Sequence, residues 1–222
     1  MFSFFSKKRV HSNTDSKKTD TISSDISKTS NSHSTLQSGD ALVYIWSGDA
    51  HNVGHASIQF GTNAPYVSIW PAKIPAIFPL TYFPLPAKLS TKLSDDIKAE
   101  SYKFELQLEN GSETLIRKRN DQEVEPDKIW RIHGLDTSAM EKEAKRITSG
   151  VEERTIFYQL YSHIKTTSSE VYDCATLSAH LLKVGGMTSL SKSPLLWKPS
   201  AFSDELKRQS NVSAFNVGRS KP

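Results

Sequence analysis

The sequence predicts an α+β domain in which a small antiparallel sheet packs against a helix carrying the cysteine. Three observations point there. Apolar, β-favouring segments follow one another closely at 41–46, 55–60 and 66–70. Asn110-Gly111 separates two further extended segments, a strong hairpin signal. Late in the chain, Cys174, Leu177, Ser178 and Leu181 recur at helical spacing until Gly185-Gly186 stops the pattern.

The chain has 222 residues, enough for one well-buried domain with tails. Residues 1–37 are nearly all polar and read as a disordered leader, either a solvated tail or a translocation signal. Residues 38–200 form the expected domain, and 201–222 a polar C-terminal tail. The net charge is +4 with no dense basic stripe, which argues against nucleic acid as a partner. No stretch approaches the ~20 apolar residues of a membrane-spanning helix, and the opening Met1–Ser6 is too short for a secretory signal. A single cysteine allows no intrachain disulfide.

Ala41–Trp46 is a near-continuous apolar run, read as a buried strand. His55–Phe60 alternates, with Ala56, Ile58 and Phe60 on one face and His55, Ser57 and Gln59 on the other. Tyr66–Trp70 is the third strand, ended by Pro71. Residues 71–94 hold five prolines among aromatic and aliphatic side chains. That density predicts an irregular segment with neither a helix nor a central strand, either packed on the core or walling a substrate groove. Tyr102–Leu108 and Thr114–Ile116 flank the Asn110-Gly111 turn, and Ile129–Ile132 is a short strand. Asp136 or Thr137 caps a helix through about Thr148, with Met140, Ala144 and Ile147 facing the core. Residues 155–164 are aromatic-rich and read as helical.

Asp173 is the expected N-cap of the cysteine helix, which puts Cys174 in its first turn. Free backbone N–H groups and the helix dipole favour an anion there, the setting of a nucleophilic thiol. The bland alternative is an inert, buried small side chain. A nucleophile also needs a base. His180 lies six residues along the helix, about 240° around its axis, and faces away. His11 and His33 fall in the leader, His133 in a turn, and His163 has no evident partner. His51 and His55 have H-x-x-x-H spacing, but the glycine between them and the β pattern argue against a helical metal site. His55 is the candidate base, since it opens a strand, follows a glycine and points off the apolar face.

Ser38-Gly39-Asp40, an apolar strand, Gly54-His55-Ala56-Ser57, Tyr66-Val67-Ser68-Ile69-Trp70-Pro71 and the late Tyr172-Asp173-Cys174-Ala175-Thr176-Leu177 form an ordered set. This set resembles the circularly permuted papain-like cysteine hydrolases and transferases, including NlpC-type and lecithin-retinol acyltransferase-like members, and in particular those among bacterial secreted effectors. The resemblance spans about residues 38–190. It implies a permuted papain-like fold, with the histidine on a strand facing the cysteine helix. It also implies hydrolysis or acyl transfer at an amide or ester bond through Cys174 and His55, with no cofactor. The family's third polar residue, which orients the imidazole, maps to Ser68, while Gln59 is a second candidate because it shares a strand face with His55. The implied partner is a host protein, peptide or lipid substrate, reached by translocation from a bacterial cytoplasm. The rival class is an inactive papain-like binding module with a structural cysteine.

Overall fold

The computed structural model describes residues 36–48, 53–63, 65–72, 80–109, 112–119, 123–162, 168–190 and 198–215. The expected leader lies outside them except for its last two residues. Leu36 is one of these, and it is buried with Leu42, Tyr44, Trp46 and Tyr66, so the folded chain begins slightly before Ser38.

Strands β1 (Ala41–Ser47), β2 (Gly54–Phe60), β3 (Tyr66–Pro71), β4 (Leu85–Ser90), β7 (Lys128–Ile132), β8 (Ile156–Tyr158), β9 (Glu170–Tyr172) and β10 (Val212–Ala214) form one sheet in the order β10-β7-β1-β2-β3-β4-β8-β9. Its pairs are antiparallel except for β8 with β9. Strands β5 (Tyr102–Glu109) and β6 (Ser112–Arg119) form a separate hairpin across residues 110–111. Among the described residues there are four α-helices: α1 (Leu93–Glu100), α2 (Thr137–Glu152), α3 (Cys174–Val184) and α4 (Pro199–Lys207). None is long and apolar enough to cross a membrane.

The central strands are buried on both faces, which is why β1 reads as an unbroken apolar run. Ala41, Val43 and Ile45 join Ala56, Ile58, Phe60, Val67 and Ile69 in a core shared with α2, α3 and α4. Leu42, Tyr44 and Trp46 point the other way, into a smaller cluster bounded by Leu93 and Ile97 of α1. Helix α2 starts at Asp136, whose carboxylate accepts from the Ser138 and Ala139 N–H groups, and it runs four residues past the expected end.

The sequence reading needs correction in three places. The proline-rich stretch contains a short 3₁₀ turn (Leu80–Tyr82) and an internal strand, β4, followed by α1; residues 73–79 lie outside the description. Pro86 is tolerated because β4 changes neighbours beside it. Leu85 and Pro86 pair with β8, Ala87–Ser90 pair with β3, and the Pro86 carbonyl still accepts the Ala72 N–H at 2.7 Å. The described part of the expected 155–164 helix opens as strand β8, with Ile156 and Tyr158 buried. The C-terminal stretch is no tail as far as residue 215. Phe202 and Leu206 of α4 are fully buried, Trp130 Nε1 donates to Ser203 Oγ at 2.9 Å, and β10 forms an edge strand on β7.

Candidate active site

Cys174 begins α3, which packs on β2 and β3. Asp173 caps it in a reciprocal box. The Asp173 carboxylate accepts the Thr176 N–H at 2.8 Å, and Thr176 Oγ1 accepts the Asp173 N–H at 3.0 Å. Ser162 Oγ donates to the second carboxylate oxygen at 2.8 Å. Asp173 is fully buried, and this desolvation raises its pKa to about 7 against the pull of those hydrogen bonds. Cys174 is 4% exposed. Tyr158 of β8 is its buried neighbour. Burial, reinforced by the charges of Cys174, Asp173 and Glu100, keeps the phenol protonated.

His55 enters from β2. Gly54 before it has φ +80° and lies against the turn after β1, where a Cβ would sit 2.4 Å from the Trp46 carbonyl oxygen. Only glycine fits this close approach. His55 is 1% exposed, and the Cys174 thiol is among the groups that raise its pKa. Its Nε2 lies 2.8 Å from Ser68 Oγ and 2.9 Å from Asp96 Oδ2. An ionised carboxylate only accepts, so Nε2 carries a proton.

Asp96 is the residue that sequence reasoning missed. It projects from α1, is fully buried, and accepts from three side chains: His55, Tyr66 (Oη to Oδ2, 2.5 Å) and Trp70 (Nε1 to Oδ1, 2.8 Å). Tyr66 Oη also hydrogen-bonds Ser57 Oγ at 2.6 Å. Burial opposes both charges of the His55–Asp96 pair. Their mutual attraction outweighs it, so the imidazole pKa is raised and the carboxylate pKa lowered.

Ser68 thus meets the imidazole, but as the neutral companion of a carboxylate. The Gln59 carboxamide oxygen accepts the Tyr44 hydroxyl at 2.7 Å, and the carboxylate on the imidazole comes from α1. His180 bonds Glu143 at 2.6 Å and His133 bonds Asp40 at 2.9 Å, while His11, His33, His51 and His163 lie outside the described residues. Among the described residues no group of three or more His, Cys, Asp and Glu side chains could hold a metal.

A cysteine at a helix start, a histidine whose acidity responds to it and a carboxylate bonded to that histidine are residue types that can activate a nucleophile. Comparison with protein-family models, with curated proteins and with solved structures finds no match to this chain.

Proposed function

We propose that Cys174, His55 and Asp96 are the nucleophile, base and orienting carboxylate of a thiol-dependent acyl-transfer enzyme with a permuted papain-like arrangement. The observation that supports this best is the buried hold on His55, whose Nε2 meets Asp96 and Ser68 while the Cys174 thiol helps to raise its pKa.

In this reading His55 takes the thiol proton and the thiolate attacks an amide or ester carbonyl. The tetrahedral oxyanion forms next to the Cys174 backbone N–H, which heads α3 and has no partner within the helix. The imidazolium then gives its proton to the departing amine or alcohol, which leaves an acyl-enzyme. Water completes hydrolysis, while a lysine or another nucleophile completes transfer. The resemblance to secreted bacterial effectors adds the expectation of a host or target-cell protein, peptide or lipid as substrate.

The burial of Cys174, 4% exposed, favours the second reading, a binding module with a structural cysteine. One experiment separates the two. An unassisted thiol is less than about 1% thiolate at pH ~6. The enzyme reading expects iodoacetamide to label the full chain readily at pH ~6, and His55→Ala to slow labelling there far more than at pH ~9. Cys174 is the sole cysteine, so the label has one destination. Negligible labelling at pH ~6, or a profile unmoved by His55→Ala, rules for the binding module.

A further inference from the structure

Trp70, at the end of β3, makes two unlike contacts with one rigid side chain. Its ring face stacks on the His55 imidazole, with centroids 4.0 Å apart and planes 21° from parallel. Its Nε1–H donates to Asp96 Oδ1 at 2.8 Å. Asp96 Oδ2 already serves both His55 and Tyr66, so Trp70 supplies the hydrogen bond on the other carboxylate oxygen. The helix presenting Asp96 is only eight residues long, and its N-cap, Lys92, makes no side-chain capping bond. Such a short element holds a carboxylate's rotation weakly on its own.

Trp46 provides the contrast. It is the cross-strand partner of His55 on β1, and its ring lies 5.4 Å away, tilted by 44°. Its Nε1–H donates to the Val124 carbonyl, away from the carboxylate. Both tryptophans wall the imidazole, but only Trp70 ties it to Asp96.

We infer that Trp70 is a positioning residue that locks imidazole and carboxylate into one register. The inference deepens the proposed enzyme but concerns the His55–Asp96 pair itself, so it can be read without turnover. The titratable groups facing the ring are Asp96 from α1 and Cys174 from α3, with Tyr66 of β3 on the carboxylate. Removing the indole N–H frees the Asp96 carboxylate to turn out of line with the ring, which weakens the ion pair that favours the imidazolium. Loss of the larger ring face weakens the cation–π contact as well.

The test is an NMR titration of the His55 ring in the full-length protein, with Trp70→Phe and Trp46→Phe compared. Trp70→Phe keeps a ring over the imidazole but not the N–H. It should lower the His55 titration midpoint by about one unit, the tenfold scale of one charge-assisted hydrogen bond. Trp46→Phe should move it far less. Equal shifts in the two variants, or none in Trp70→Phe, would overturn the assignment. Should Trp70→Phe fail to fold, the Trp70 indole N–H resonance in otherwise wild-type protein gives the same answer. It should move on Asp96→Asn while that of Trp46 stays in place, and a still Trp70 signal refutes the tie. In the same samples, iodoacetamide labelling at pH ~6 should fall about tenfold for Trp70→Phe and converge with wild type near pH ~9. Labelling of wild type that ignores His55 would sink the proposed enzyme, while the NMR shift would still decide the role of Trp70.

Discussion

Asp96 and Asp173 are both fully buried, and both accept several hydrogen bonds, yet their acidities move in opposite directions. Asp173 is surrounded by neutral donors, the Thr176 N–H and the Ser162 hydroxyl, and burial wins, raising its pKa to about 7. Asp96 also has neutral donors in Tyr66 and Trp70, but it faces the His55 ring, and there burial loses. The difference teaches that hydrogen bonds alone do not keep a buried carboxylate ionised here, whereas a cation in contact does. It also separates two tasks. Asp173 builds the helix start at Cys174, and Asp96 holds the charge of His55.

The comparison breaks most completely if the cation is removed. His55→Ala should turn Asp96 into a second Asp173, with its acidity pushed upward, and should cost about 3–5 kcal/mol, the scale for a buried ion pair losing one partner. The pH window follows from the signs. Asp96, lowered, contributes stability present above the unfolded value near ~3.9 and lost as pH falls through its folded value. His55, raised, contributes stability fully present below ~6.5 and lost as pH rises through its folded value. Urea unfolding of the two proteins should therefore differ most between about pH 4 and 6.5. A gap that is flat from pH ~3 to ~10 would show that the pair carries no charge.

Asp96→Asn keeps the shape and discards the charge. The imidazole loses its counterion, and labelling of Cys174 at pH ~6 should drop by about 10²-fold, the usual scale of a disturbed general base. Wild-type labelling in this variant would move the orienting role elsewhere.

Asp173→Asn probes the other side of the comparison, and its effect should be smaller and opposite in sign. Asparagine caps as well as aspartate, and it carries no buried charge. The folded protein holds the Asp173 proton to higher pH than the unfolded chain does, so wild type loses stability as pH rises from ~4 to about 7. The variant should therefore gain on wild type by a few kcal/mol at most, with the gap widening between pH ~4 and about 7 in urea titrations. A variant that loses ground over that range would contradict the buried charge.

The smallest effect is expected of Ser68→Ala. It removes one neutral companion from Nε2 while Asp96 stays, at a net cost of about 1 kcal/mol, and labelling should slow by less than tenfold. If it slowed as much as Asp96→Asn, the hydroxyl and not the carboxylate would be the orienting group.

Much of this framework was legible in the chain because it depends on local patterns. The alternation of His55–Phe60 told inward from outward residues on β2, the Gly54 close approach is real, and Asp173 is the N-cap of α3, as expected. Helix α1 escaped for a particular reason. Leu93 and Ile97 stand at i and i+4, but the two residues it buries most deeply are Asp96 and Glu100. A hydrophobic pattern cannot register a face whose inward groups are acids, and nothing local tells Asp96 from exposed Asp95. Helix α4 escaped because Phe202 and Leu206 are too few to stand out in a polar stretch, although both are fully buried.

What the sequence determined alone was the strands β1 to β3, the capped helix start and the identity of the one thiol, because periodicity and capping act between residues a few positions apart. Only the tertiary structure decided which carboxylate stands behind His55. That choice rests on α1 crossing to a residue 41 positions earlier in the chain, and on Tyr66 and Trp70 of β3 supplying hydrogen bonds that let Asp96 stay buried and charged. Such a pairing is set by distance in space, and its energy depends on burial that no neighbouring residue records.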